Sequence, residues 1–151
     1  MTWSDRLAEL GIELPAVAAP LAAYVPAVRT GSHVYTAGQL PFVKGELEAT
    51  GKVGAEVSPE EAKQYARTSI LNALAAVHSV VGIDNVVRVV KVVGFVASAE
   101  GFTGQPAVIN GASELLGEIF GEAGIHARSA VGVAELPIGA PVEIELIVEV
   151  K

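Results

Sequence analysis

Apolar and polar positions along the chain fall into blocks of different period, and the period names each element. The sharpest block is "SPEEAKQYARTSILNALAAVHSVVG", residues 58–82, in which Ala66, Ile70, Ala73, Leu74, Val77 and Val81 recur at helical spacing. Ser58 can cap this helix, Pro59 suits its first position, Glu61 completes a capping box and Gly82 stops it. A second helix is expected in "QPAVINGASELLGEIFGEAG", residues 105–124, starting at Pro106. Its apolar face is Ile109, Ala112, Leu116, Ile119 and Phe120, and Gly121 and Gly124 end it. "SDRLAELG", residues 4–11, reads as a short helix capped by Ser4 and closed by Gly11.

The remaining blocks predict strands. "NVVRVVKVVGFVAS", residues 85–98, places seven valines within residues 86–96, and such β-branched density specifies a long central strand, with Gly94 as the place for a kink. "HVYTAGQLP", residues 33–41, is a strand in which Gly38 permits a bulge or a close backbone approach and Pro41 ends the pairing. "GELEATGKVG", residues 45–54, is read as its partner strand with turns. Before them, "LPAVAAPLAAYVPAV" carries prolines at 15, 20 and 26 that forbid a regular helix. The chain closes with "ARSAVGVAEL" (127–136) and "PVEIELIVEV" (141–150), joined by "PIGA". The order β-β-α-β-α-β-β, with the helices on one face of a mixed sheet, makes an α+β layer domain, expected to be a single one over residues 1–151.

The last strand carries an anomaly. Residues 142, 144, 146, 148 and 150 are all aliphatic, while Glu143, Glu145 and Glu149 share the opposite face with Ile147. One face meets the helices. The other faces water or a second subunit, and any glutamate left in such an interface needs a cation or an ordered water.

Composition narrows the partners. Ten Lys and Arg against 17 Asp and Glu give a net charge of −7, the wrong sign for holding a nucleic-acid backbone. The chain has no cysteine, hence no thiol nucleophile or thiolate metal site. No basic start followed by an apolar run and no membrane-length apolar segment is visible, which leads us to expect a cytoplasmic protein without membrane partners. Histidines 33, 78 and 126 have no metal-ligand spacing to one another or to an acid, so no metal site is expected. His78 stands near a helix end and His126 in a loop beside Arg128, both positions where structural roles are common, and Ser129 fits no nucleophile turn.

Arg128 is the candidate that chemistry favours. It sits between Ala127 and Ser129, with Ala130 and Gly132 following, which leaves room for a small ligand. A planar guanidinium grips a carboxylate bidentately, and a nearby glutamate could orient a water for attack. The residues thus suggest a pocket for a small carboxylate-bearing molecule.

Several segments together, "YVPAVRTGSHVYTAGQLP", "LNALAAVHSVVG", "VVKVVGFVAS", "VINGASELLGEIFGEAG" and "HARSAVGVAELPIGAPVEIELIVEV", resemble the RidA/YjgF family of reactive-intermediate deaminases over roughly residues 20–151. The first 20 residues look like the N-terminal helical extension of a longer subgroup. The resemblance implies a chorismate mutase-like α+β fold and a homotrimer with a barrel-like core and clefts between subunits. It also implies hydrolysis of enamines and imines of the 2-aminoacrylate and 2-iminopropanoate type to 2-oxo acids and ammonia, the activity of a 2-iminobutanoate/2-iminopropanoate deaminase, without cofactor or metal. Carried over residue by residue, Arg128 matches the carboxylate clamp and Glu143 the glutamate that positions water. Tyr24 and Asn110 match pocket residues, and Gly38 and Gln39 match a loop that approaches the ligand with its backbone. Ala130 replaces the cysteine of the well-studied members, which touches substrate shape and rate rather than a required nucleophile. Two other functions stay open: a regulatory trimer that holds a 2-oxo acid without turnover, and the ribonuclease or translation-inhibitor activity attached to some relatives, which the acidic chain disfavours.

Overall fold

A computed structural model describes residues 1–17 and 22–151; the expected break at Pro20 lies outside the described residues. The elements run α1 (Trp3–Glu9), β1 (Ala27–Thr30), β2 (His33–Thr36), β3 (Phe42–Val43), β4 (Glu46–Leu47), α2 (Pro59–Val81), β5 (Val86–Ala97), α3 (Gln105–Phe120), β6 (Ala127–Val133) and β7 (Val142–Val150). Five strands form one mixed sheet in the order β1-β2-β7-β5-β6, and only the β5–β6 pair is parallel, bridged by α3 as a crossover. Both long helices cover the same sheet face, as the patterning requires.

α2 forms where its signals place it. Ser58 accepts from the Glu61 amide while the Glu61 carboxylate accepts from the Ser58 amide, and Gly82, at φ 80°, ends the helix. His78 then accepts the Ile83 amide at 2.9 Å, which fixes the exit of the chain into β5. The stripe from Ala66 to Val77 is buried against the sheet, opposite Val34, Val142, Ile144, Leu146 and Val148. Both helices of this layer approach closely because α3 presents Gly111 to the Lys63 carbonyl of α2, where a Cβ would collide with backbone.

The elements differ from those expected at four places. The cap of α1 is Thr2, which makes the reciprocal box with Asp5; Ser4 instead donates to Asp84 from both its amide and its hydroxyl. Beyond the prolines, residues 27–30 form β1, an edge strand the pattern does not announce, which turns into β2 through Gly31 at φ 57°. The segment 45–54 does not pair with β2: only Glu46–Leu47 is a strand, and it closes a separate hairpin on β3 through Lys44 and Gly45, both at positive φ. The strand β2 is satisfied by β1 and β7, which leaves that segment no edge to join. Finally, β5 is irregular at Val86–Arg88 and Val89–Lys91 rather than at Gly94. Gly94 faces the helices, where Ile109 fills the space a side chain would take.

α1 docks on the outer end of α3. Trp3 donates from its indole to the Val86 carbonyl at 2.7 Å and meets Phe120 edge-to-face at 5.0 Å, while Arg6 reaches the Glu118 carbonyl at 2.9 Å. Its hydrogen bonds to Ser4 hold the Asp84 carboxyl below the ordinary aspartate value of 3.8. No helix of the described residues is long and apolar enough to cross a membrane.

Candidate active site

β7 lies at the centre of the sheet and alternates as its sequence demands: Val142, Ile144, Leu146, Val148 and Val150 are buried under the helices. Glu143, Glu145, Ile147 and Glu149 look the other way, beside Phe95, Val93 and Lys91 of β5 and Tyr35 and His33 of β2. Among the described residues no helix covers this open face, and Val28, Tyr35 and Val131 stand exposed on it. Glu143 is half-buried; burial raises its carboxyl above the ordinary 4.5, and the like charge of Glu145 adds to the effect. Gly38 lies directly against the Glu143 carboxylate, in space that a Cβ would occupy, and Gln39 bonds both ways with Ile144 at 2.8 and 3.0 Å. The expected close backbone approach is therefore made to Glu143 itself. Asn72 of α2 steadies the following turn by donating to the Leu40 and Phe42 carbonyls, each at 3.0 Å.

Arg128 belongs to the opposite face. It pairs in register with Val92, which pairs with Leu146 in the core, so its side chain emerges on the helix side of the edge strand β6. There its Nη1 donates to Asn110 Oδ1 at 2.8 Å and to Ser113 Oγ at 3.2 Å, both on α3. Ala130 and Gly132 follow on the same side, with Gly132 against Gln105 and Ser98. The guanidinium thus answers Asn110 and not a glutamate of the open face.

One copy of the chain does not bring the named residues into one site. Arg128 and Asn110 form one cluster; Glu143, Gly38 and Gln39 form another across the sheet, separated laterally by β5. Tyr24 is exposed, just ahead of β1, at the far edge of the sheet from β6. Four strand intervals make that separation about 19 Å. Cavities of about 280 Å³ between α1 and α3 and about 230 Å³ between α2 and α3 include neither Arg128 nor Glu143. Among the described residues no group of three or more acidic and histidine side chains is placed to hold a metal ion.

Two further residues belong to the Arg128 cluster. Ser113 Oγ lies 2.9 Å from His126 Nε2, and His126 Nδ1 lies 2.6 Å from the Gly124 carbonyl. Sequence spacing carried the signal: Ser113 is three residues beyond Asn110 on one helix face, and His126 stands in the short link just before β6, two residues ahead of Arg128.

The family model described as "YjgF/chorismate mutase-like, putative endoribonuclease" matches residues 4–150. "Protein TCP17" of Trypanosoma cruzi is 45% identical over 150 residues, covering 97% of this chain and 92% of that one. The crystal structure of Atu1372 from Agrobacterium tumefaciens, of unknown function, superposes with a TM-score of 0.91 at 43% identity over 99% of this chain and 92% of that one. E. coli TdcF with bound serine superposes with a TM-score of 0.66 at 25% identity over 89% and 94% of the two chains. Matched over nearly its whole length, the chain belongs to the YjgF/chorismate mutase-like family and has that family's α+β fold.

Proposed function

We propose that the chain hydrolyses small carboxylate-bearing imines and enamines to 2-oxo acids and ammonia, in clefts completed between neighbouring copies of a homotrimer. The observation that carries this reading is the Arg128 guanidinium, held by Asn110 and Ser113 through Nη1 alone among the described residues, so that its Nε and Nη2 edge is left for a carboxylate fork. The serine in the TdcF structure is a small carboxylate-bearing molecule of the same class.

The chemistry is a water addition. The carboxylate of the imine docks on Arg128, and the water oxygen bonds to the C=N carbon as its proton passes to Glu143. That proton goes on to nitrogen to give a carbinolamine, whose hydroxyl then passes its proton through Glu143 to nitrogen as C–O becomes C=O and the C–N bond breaks, and ammonia leaves with a 2-oxo acid. A carboxyl raised by burial suits this exchange, because its proton affinity lies closer to working pH than that of a solvated glutamate. Fixing the carboxylate turns a bimolecular encounter into a positioned attack.

The wide separation of Tyr24, Glu143 and Arg128 in one copy supports the ring. A closed head-to-tail ring sets the β1 edge and open face of one copy against the β6 edge of the next, covering the exposed apolar face. Mixing Arg128→Ala with Glu143→Gln protein tests it. With a shared cleft, randomly reassembled trimers regain about a quarter of wild-type activity; a cleft built within one copy regains none.

Glu143 also sets a pH dependence of stability. A carboxyl raised in the folded state contributes stability below the unfolded value of 4.5 and loses it as pH rises through the folded value. Glu143→Gln is therefore expected to melt above wild type at neutral pH and level with it below that unfolded value. A thermal melt at each pH checks the sign; a variant that melts below wild type at neutral pH refutes it.

A second reading keeps the Arg128 clamp without turnover, as a sensor of 2-oxo acids. Ala130, small and packed beside Arg128 on its strand face, favours it only in offering no reactive group. Tight pyruvate binding without imine hydrolysis would select it.

A further inference from the structure

We propose that Ser113 and His126 are positioning residues that set the guanidinium of Arg128, a role that rests on reading Arg128 as a carboxylate clamp. With the imidazole of His126 neutral, every hydrogen in the cluster follows from which atoms can only accept. The Gly124 carbonyl cannot donate, so His126 Nδ1 carries the proton of their 2.6 Å contact. In the neutral imidazole that leaves Nε2 as a lone pair, and the hydroxyl of Ser113 donates to it at 2.9 Å. With its one hydrogen committed to His126, Ser113 turns its lone pairs toward Arg128 and accepts from Nη1 at 3.2 Å. Asn110 Oδ1 takes the other Nη1 hydrogen at 2.8 Å.

The result is a guanidinium whose rotation is fixed from one side. Both Nη1 donors are used, and among the described residues Nε and Nη2 make no hydrogen bond, so the remaining edge presents two parallel donors. Asn110 alone would leave the head free to swing about a single contact. Ser113 supplies the second point, and His126 decides which way the serine oxygen faces.

The anchor of the chain is itself rigid. Gly124 ends the tight turn Gly121–Gly124 and is buried against the Leu116 carbonyl of α3, where a Cβ would collide with backbone. Only glycine lets the turn close there, and the closure fixes the carbonyl that holds His126. Turn, helix and strand thus meet at one side chain. Neither of the other histidines serves this end: His78 caps the exit of α2 and His33 faces the open side of the sheet.

The test compares wild type with Ser113→Ala, Ser113→Thr, His126→Ala, the Ser113→Ala/His126→Ala double variant and Arg128→Ala. It measures steady-state hydrolysis of 2-iminopropanoate and calorimetric binding of pyruvate. Ser113→Ala and His126→Ala are each expected to raise KM and the pyruvate Kd about 5- to 20-fold with kcat within about twofold of wild type. The double variant is expected to be no worse than about the poorer single, and Ser113→Thr to restore the wild-type KM. Unchanged KM in both single variants, with Arg128→Ala impaired, overturns the positioning role and leaves the clamp standing. Arg128→Ala without effect overturns the clamp and the inference together. Nitrogen-15 NMR of folded wild type reads the tautomer without any variant: Nδ1–H at His126 is required, and Nε2–H overturns the proposal.

Discussion

Arg128→Ala is expected to lower kcat/KM for 2-iminopropanoate by at least about 100-fold, with most of the loss in KM, since a bidentate charged pair inside a cleft is the strongest contact available to so small a ligand. The fold should survive. Arg128 is half-buried on an edge strand and, among the described residues, bonded to Asn110 and Ser113, both of which can turn to water when it is gone. Arg128→Lys is the sharper variant. Lysine keeps the charge but presents a point donor in place of a fork, and it cannot satisfy Asn110, Ser113 and a carboxylate at once. It should therefore recover less than about a tenth of the lost kcat/KM. Steady-state kinetics with circular dichroism on each variant checks both statements, and full activity in Arg128→Ala would remove the clamp from the account.

The second large effect is on stability. Gly111→Ala is expected to destabilise the fold by about 2 to 3 kcal/mol, despite the gain of about 0.5 to 1 kcal/mol that alanine normally brings to a helix. Its Cβ would meet the Lys63 carbonyl, which is backbone and cannot swing aside, so α2 and α3 must part and unpack the layer above β7. Gly117→Ala on the same helix is the control. A Cβ there meets nothing within 4 Å, so this variant should gain the propensity term alone. Denaturant unfolding of the two variants should move in opposite directions; a stabilised Gly111→Ala would mean that the helices are not held in contact there.

The two substitutions also mark where the sequence speaks and where it is silent. Local signals specify α2 completely, because Ser58, Pro59, Glu61 and Gly82 act on their own neighbours. Strict alternation in β7 likewise assigns both of its faces. The strand β1 escaped notice because prolines precede it and Arg29 and Thr30 interrupt its apolar pattern; it is made a strand by its partner β2. The segment 45–54 was misread for the reverse reason, since its alternation is real only across β3 and β4.

For the proposed site, the mutual placement of the residues could not be read from the sequence. Which face Arg128 takes depends on its register with Val92, two strands from Glu143, and no spacing along the chain encodes that register. The same holds for Tyr24, which one copy leaves at the far edge of the sheet. Ser113 carries no signal of its own in the sequence, and His126, although beside Arg128, reads there as a structural residue; both gain meaning from the Gly124 carbonyl that orders them.

The most direct measurement is the hydrolysis of 2-iminopropanoate, generated in place by an amino-acid oxidase and trapped with semicarbazide. The wild-type protein is expected to suppress semicarbazone formation in proportion to its concentration, and Arg128→Ala is not. Equal semicarbazone with and without the wild-type protein, across imines made from several small amino acids, would contradict the proposed hydrolysis.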